Sequence, residues 1–68
     1  MPKAKLKPLP EPTPQRVRAA RERAELTQAE AAELVYLSHS VRWSEYERGL
    51  HTMPLPSWEL FLLKTDQR

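Results

Sequence analysis

The sequence predicts a small all-α domain of four short helices that follows a disordered, basic, Pro-rich N-terminal arm. The chain has 68 residues and no cysteine, so it can build one small core and no disulfide. Five of its seven prolines fall within the first fourteen residues, where they exclude helix and interior strand. Beyond them, apolar residues recur at helical spacings, and no stretch shows the alternation of a strand.

Residues 1–12 form the predicted arm. Proline at positions 2, 8, 10 and 12 fixes φ and removes backbone donors, which favours an extended, polyproline-like segment. Lys3, Lys5 and Lys7 oppose only Glu11 here, and this balance accounts for the whole net charge of +2. We expect Lys5 and Lys7 to contact phosphates of a nucleic acid, as basic arms do, with a passive tail as the open alternative.

The first helix is predicted at about residues 14–25. Thr13 is a good N-cap, and Pro14 suits the first helical position because its φ is already helical. Val17 and Ala20 then recur on one face, which should turn toward the core.

The second helix is predicted at about residues 28–35. Thr27 and Glu30 form a capping box ahead of an apolar stretch, which is a signature of a helix start. Ala31 and Ala32 are small enough for another helix to cross closely at this point.

The third helix is predicted at about residues 39–48, with a serine at position 38 or 40 as its cap. Trp43 and Tyr46 are three residues apart and should form its buried edge. Gly49, the only glycine, stands where a left-handed residue commonly ends a helix.

The fourth helix is predicted at about residues 57–64, and the tail at 65–68 should fray. This helix is apolar around most of its circumference, so it should be buried on more than one side. Two interpretations stay open: the helix closes the core over the first three helices, or its second apolar side forms the interface of a homodimer. We favour the homodimer, because a domain this small gains stability from association. The interface residues predicted are Trp58, Phe61 and Leu62.

The order of a capping box, a helix, a tight turn and a helix ended by glycine is typical of a helix-turn-helix unit. In such a unit a single helix enters the DNA major groove. Opposite Trp43 and Tyr46, at about 100° per residue, the third helix presents Val41, Glu45 and, on its flank, Arg42. Val41 could contact a thymine methyl, and Glu45 could accept a hydrogen bond from the amino group of cytosine. Arg42 could donate hydrogen bonds to guanine.

The segment from Leu26 to Leu34, which opens Leu-Thr-Gln, is followed by Trp43, Tyr46, Glu47 and Gly49. Over about residues 14–64 this pattern resembles the Cro/CI-type (XRE) helix-turn-helix regulators. Two features depart from the family: Ala31 replaces a usual leucine, and the segment from Gln28 to Glu47 is one residue longer. The compact size and the closing segment 58–65 are similar to small phage-type regulators, including the anti-CRISPR-associated autorepressors.

The resemblance implies a lambda-repressor-like fold and a dimeric, sequence-specific DNA-binding repressor that acts on an inverted-repeat operator. By position, Gln28 matches a residue that meets a phosphate, and residues 39–42 match the start of the recognition helix. The predicted base-contacting residues are Ser40, Val41, Arg42, Ser44 and Glu45. The predicted phosphate-contacting residues are Gln28, His39, Arg48, Arg16, Lys5 and Lys7.

The charge pattern keeps a second class of function open. Residues 15–68 are neutral overall, with their arginines and lysine balanced by acidic residues, so the fold could instead serve as an antitoxin or adaptor that binds another protein. Enzymatic activity is not expected, because no triad or paired carboxylates occur. His39 and His51 form no metal motif, and no cofactor, small-molecule substrate or membrane partner is predicted. The expected location is the bacterial cytoplasm, at the nucleoid.

Overall fold

The computed structural model describes residues 8–68, which contain four α-helices and no strand. The helices are α1 (Pro14–Arg23), α2 (Gln28–Leu34), α3 (Ser40–Arg48) and α4 (Leu55–Lys64). The predicted all-α, four-helix architecture is therefore confirmed. Lys5 and Lys7 lie outside the described residues, so their phosphate contacts stay a prediction.

Local capping explains why α1 and α2 begin where the sequence predicts. The Thr13 hydroxyl accepts from the backbone N–H of Arg16 at 3.2 Å. At α2, Thr27 accepts from the N–H of Glu30 at 3.1 Å, and the Glu30 carboxylate accepts from the N–H of Thr27 at 2.9 Å. These bonds satisfy donors that the first helical turn leaves open.

The start of α3 differs from the prediction. His39 is the N-cap residue and makes no side-chain cap bond, while Ser40 is the first helical residue. The extended backbone of His39 supplies the transition into the helix in place of a serine hydroxyl.

Each of the four helices is followed by a residue in the left-handed conformation. These residues are Glu25 (φ 59°), Tyr36 (φ 62°), Gly49 (φ 78°) and Asp66 (φ 58°). After α1, this turn lets the N–H of Leu26 donate to the carbonyl of Arg21 at 3.2 Å, which ends the helix two residues before the predicted boundary.

The fourth helix begins at Leu55, two residues before the predicted start. Pro54 is the N-cap, and Pro56 lies in the first turn, where a helix needs no N–H donor. Pro56, which precedes the predicted start, is therefore part of the helix.

The core lies between the inner sides of all four helices and is centred on Trp43. The rings of Trp43 and Phe61 are 4.9 Å apart, and those of Trp43 and Tyr46 meet edge to face at 6.3 Å. The buried apolar residues are Val17, Ala20, Ala31, Ala32, Val35, Trp43, Tyr46, Met53, Trp58, Phe61 and Leu62.

The burial of α4 corrects the predicted dimer interface. Trp58, Phe61 and Leu62 are only 2%, 0% and 4% exposed, because they close the core of the single chain. Their side chains are thus not available to a second chain. The apolar residues that α4 leaves at the surface are Leu55 and Leu63.

The described end of the predicted arm packs against the helices. The indole N–H of Trp58 donates to the carbonyl of Pro10 at 2.6 Å, Pro12 is buried, and Leu9 contacts the core. The packed domain therefore begins before Thr13.

Candidate nucleic-acid interface

The inner side of α3 is held by a single carboxylate, that of Glu47. It accepts from Nε of Arg21 at 2.6 Å, from the indole N–H of Trp43 at 2.6 Å and from the amide of Gln28 at 3.1 Å. A second bond from Arg21 Nη2, at 3.2 Å, makes the ion pair bidentate. One acceptor near the end of α3 thus joins α1, α2 and α3, which gives Glu47 a structural role.

The electrostatics of this cluster follow from its burial. The Glu47 side chain is 6% exposed, and burial alone would raise its pKa. Hydrogen bonds from Arg21, Trp43 and Gln28 outweigh this desolvation and hold the pKa of Glu47 below its ordinary value. The hydrogen bond to Glu47 in turn raises the pKa of Arg21. The pair is therefore charged in the folded chain at neutral pH.

The outer side of α3 carries exposed side chains with longer contacts. Val41 is 60% exposed, and the Arg42 side chain is about half exposed. Glu45 lies 3.4 Å from the Arg42 guanidinium and 3.7 Å from Nε2 of His51, a pair that is ionic only when the histidine is protonated. This side of the helix presents a branched apolar group and a guanidinium together.

An open groove of about 440 Å³ runs along this outer side, between α3 and the turn that precedes it. The turn and the helix contribute its lining residues, Tyr36, Leu37, Ser38, His39, Val41, Arg42 and Glu45. Four predicted site residues, at positions 39, 41, 42 and 45, are thus brought to one surface. Ser40 is exposed and Ser44 half-buried, and neither lines the groove.

The other predicted contacts are more dispersed. Arg48 is exposed at the end of α3. Gln28 is half-buried, and its amide nitrogen is already bonded to Glu47. Arg16 lines a different groove, between α1 and α4, and donates to the carbonyl of Glu11 at 3.3 Å.

Sequence reasoning missed two residues beside the groove, Tyr36 and Lys64. The Lys64 ammonium donates to the carbonyl of Leu34 at 2.8 Å and to the hydroxyl of Tyr36 at 3.0 Å. It also lies 4.2 Å from the centre of the Tyr36 ring. An aromatic residue in the turn before α3 was the signal available in the sequence, whereas the contact with α4 was not predictable from local pattern.

The described part of the chain, residues 8–68, has the geometry of neither a metal site nor a membrane span. No group of three or more histidine, aspartate or glutamate side chains there is arranged to hold a metal ion. In the same part of the chain, no helix has the length and apolar character needed to cross a bilayer.

The chain is similar to a known family over most of its described residues. A family model described as a helix-turn-helix domain matches residues 15–64. The match covers α2, α3 and α4 completely, and α1 except for its first residue. No curated protein and no solved structure matches the chain.

Proposed function

This chain belongs to the helix-turn-helix domain family of the Cro/CI (XRE) type, and from that membership we propose that it is a sequence-specific, double-stranded-DNA-binding transcriptional regulator. The observation that carries the proposal is the orientation of α3. Burial of Trp43 and Tyr46 fixes one side of this helix, and the opposite side exposes Val41 and Arg42. A helix anchored in this way can enter the major groove without loss of the core.

The base contacts that we propose follow from the chemistry of the outer side. Arg42 can donate two parallel hydrogen bonds to the O6 and N7 atoms of guanine, and Val41 can pack on a thymine methyl. Glu45 either accepts from a cytosine amino group or keeps its ion pair and orients Arg42. Ser40 and Ser44 are the remaining candidates on this helix.

The phosphate contacts that we propose surround the same helix. His39 stands at its start and Arg48 at its end, so either could reach a phosphate at the border of the major groove. Gln28 can still offer the second N–H of its amide, since only one is needed for Glu47. The remaining proposed phosphate contacts are Arg16, Lys5 and Lys7.

We propose further that the regulator is a dimeric repressor. A two-fold dimer places two recognition helices about 34 Å apart, one turn of DNA, and so reads an inverted repeat. On α4, the interface would use Leu55 and Leu63, which are 55% and 56% exposed, instead of the buried residues of that helix.

Selection from a pool of random duplex DNA by the full chain tests this function. We expect enrichment of a short motif arranged as an imperfect inverted repeat, whose half-site spacing reports the dimer. Enrichment of a single, unsymmetrical half-site would contradict the dimer but keep the DNA-binding function. A pool that stays random would contradict the function itself.

A protein-interaction module is the second candidate, and the zero net charge of residues 15–68 favours it. Binding to nucleic acid is dominated by phosphate charge, whereas a neutral domain can bind another protein without such an excess. A gel shift on genomic fragments at two salt concentrations separates the candidates. Shifts that are strong at low salt and weaken at high salt support DNA binding, and no shift at either supports the interaction module.

A further inference from the structure

We propose that Tyr36, held in place by Lys64, binds a DNA phosphate and seats one strand of the duplex beside α3. The inference rests on the proposed DNA-binding function and adds two residues to its site. Neither residue belongs to the recognition helix: Tyr36 lies in the turn before it, and Lys64 ends α4.

The position of Tyr36 points to the same ligand as α3. Tyr36 is 78% exposed and lines the groove that Val41 and Arg42 also line. A duplex strand that borders α3 in the major groove would therefore run past the phenol hydroxyl. A residue on the turn meets the backbone of that strand, whereas the helix itself faces the base edges.

The side chain of Tyr36 is directed away from the core and is held by another helix. Its left-handed φ of 62° belongs to the end of α2, where the N–H of Leu37 donates to the carbonyl of Ala32 at 3.0 Å. The ring is exposed and does not stabilise the core, yet the ammonium of Lys64, from α4, fixes it by a hydrogen bond to the hydroxyl and by its position over the ring. An exposed aromatic side chain fixed in this way is preorganised for a ligand.

The hydrogen-bonding pattern leaves the phenol free to donate. The Tyr36 oxygen accepts from Lys64 at 3.0 Å, so its own proton can point to a phosphate oxygen. The hydrogen bond from Lys64, and then the positive charge of that residue, lower the pKa of Tyr36, which makes the hydroxyl a better donor.

The charge around the groove suits a phosphodiester. Arg42 is among its lining residues, and the ammonium of Lys64 lies 3.0 Å from the hydroxyl of Tyr36, another lining residue. The one carboxylate that lines the groove, Glu45, is already within 3.4 Å of Arg42 and 3.7 Å of His51. A phosphate beside Tyr36 therefore faces cations and a neutral donor.

The test compares Tyr36→Phe and Lys64→Met with the unaltered full chain on the selected duplex. Tyr36→Phe keeps the ring under the ammonium and removes only the hydroxyl, so we expect binding about tenfold weaker, as for a lost bond to a charged group. The loss should be equal on all duplexes, with base preferences unchanged. Lys64→Met should also reduce the slope of log affinity against log salt by about one.

Arg18→Met is the matched control for the loss of one positive charge. Arg18 is exposed, pairs with Glu22 and does not line the groove. We expect it to change affinity by less than about twofold, since exposed pairs contribute little. Thermal unfolding of every variant separates a binding loss from a folding loss.

Duplexes with single uncharged methylphosphonate linkages identify the phosphate. At one linkage the difference between the parent and Tyr36→Phe should vanish, because the hydroxyl has lost its acceptor charge. Equal affinities of the two proteins, or a difference that persists at every linkage, would overturn this proposal while duplex binding still supported the proposed function. If the unaltered chain enriches no duplex, both fail.

Discussion

The two sides of α3 differ in burial and in the lengths of their polar contacts. On the inner side, Trp43 is buried and its indole N–H donates to the part-buried carboxylate of Glu47 at 2.6 Å, and the other bonds to Glu47 reach two other helices. On the outer side, Arg42 and Glu45 are partly exposed, and their closest contact is 3.4 Å. The inner side stabilises the fold. The outer side makes only long, exposed contacts, which a ligand could replace with its own.

The largest effect should come from the inner side. In Glu47→Ala, the guanidinium of Arg21 loses its partner in a site where its side chain is only 16% exposed. Removal of one member of a fully buried pair costs about 3–5 kcal/mol, so for this part-buried pair we expect a loss near the lower end, a large share of the stability of so small a domain. Circular dichroism should therefore show a mostly unfolded chain, or a much lower Tm, at neutral pH.

Glu22→Ala is the control for this change. Glu22 pairs with Arg18 at 3.2 Å on the surface of α1, where both side chains are more than half exposed. Its removal should cost about 0.5 kcal/mol or less. A similar loss in both variants would mean that burial does not distinguish the two ion pairs.

A smaller effect at the same site should appear on acidification. Since the folded pKa of Glu47 is lower than its unfolded value, its ionisation stabilises the fold above the unfolded pKa of about 4.3. This stabilisation should be lost as pH falls from there through the folded pKa. Tm measured between pH 7 and pH 3 should fall less steeply for Glu47→Gln, and parallel curves would contradict the assignment.

On the outer side, Arg42→Ala should leave stability within about 0.5 kcal/mol and reduce DNA binding. We expect a loss of about 1–3 kcal/mol on the selected duplex, together with relaxed preference at one base position. Competition with single-base variants of the duplex measures both. An equal loss on every duplex would instead assign Arg42 to a phosphate, and Arg18→Ala supplies the baseline for a lost arginine.

The smallest effect tests the turns that flank these helices. Glu25→Gly should stabilise the fold by about 1 kcal/mol, because glycine adopts the left-handed conformation without a Cβ penalty. Gly49→Ala should cost a similar amount for the opposite reason, as its Cβ would meet Pro14 only at an ordinary 3.5 Å. Urea unfolding of both variants gives the two signs, and a shift of the same sign would contradict the argument.

Local chemistry determines which parts of the fold the sequence predicts. The starts of α1 and α2 follow from Thr13 and Thr27, whose bonds span only three residues. The end of α1 was set too late, because no glycine marks the left-handed turn at Glu25. The start of α4 was also set too late, since a proline can lie inside the first turn as well as before it.

In the candidate site, too, the sequence predicts only those features that depend on residues close together in the chain. Helical periodicity predicts the side of α3 that carries Val41 and Arg42, since this depends only on the buried positions three residues apart. The partner of Glu47 on α1 lies twenty-six residues away, so local pattern could not identify it. Likewise, an apolar sequence around α4 did not tell which residues the same chain would cover, which is why the predicted dimer residues were found in the core.

The position of one carboxylate between three helices has a consequence for how the domain opens. If α1 or α2 frayed alone, it would leave the part-buried carboxylate of Glu47 without one of its hydrogen-bond donors, so we expect partial opening of either helix to be costly. Amide protons in the middle of these helices should then exchange with solvent at one common free energy. With such all-or-none unfolding, α3 would be either completely folded or completely unfolded when it meets a ligand.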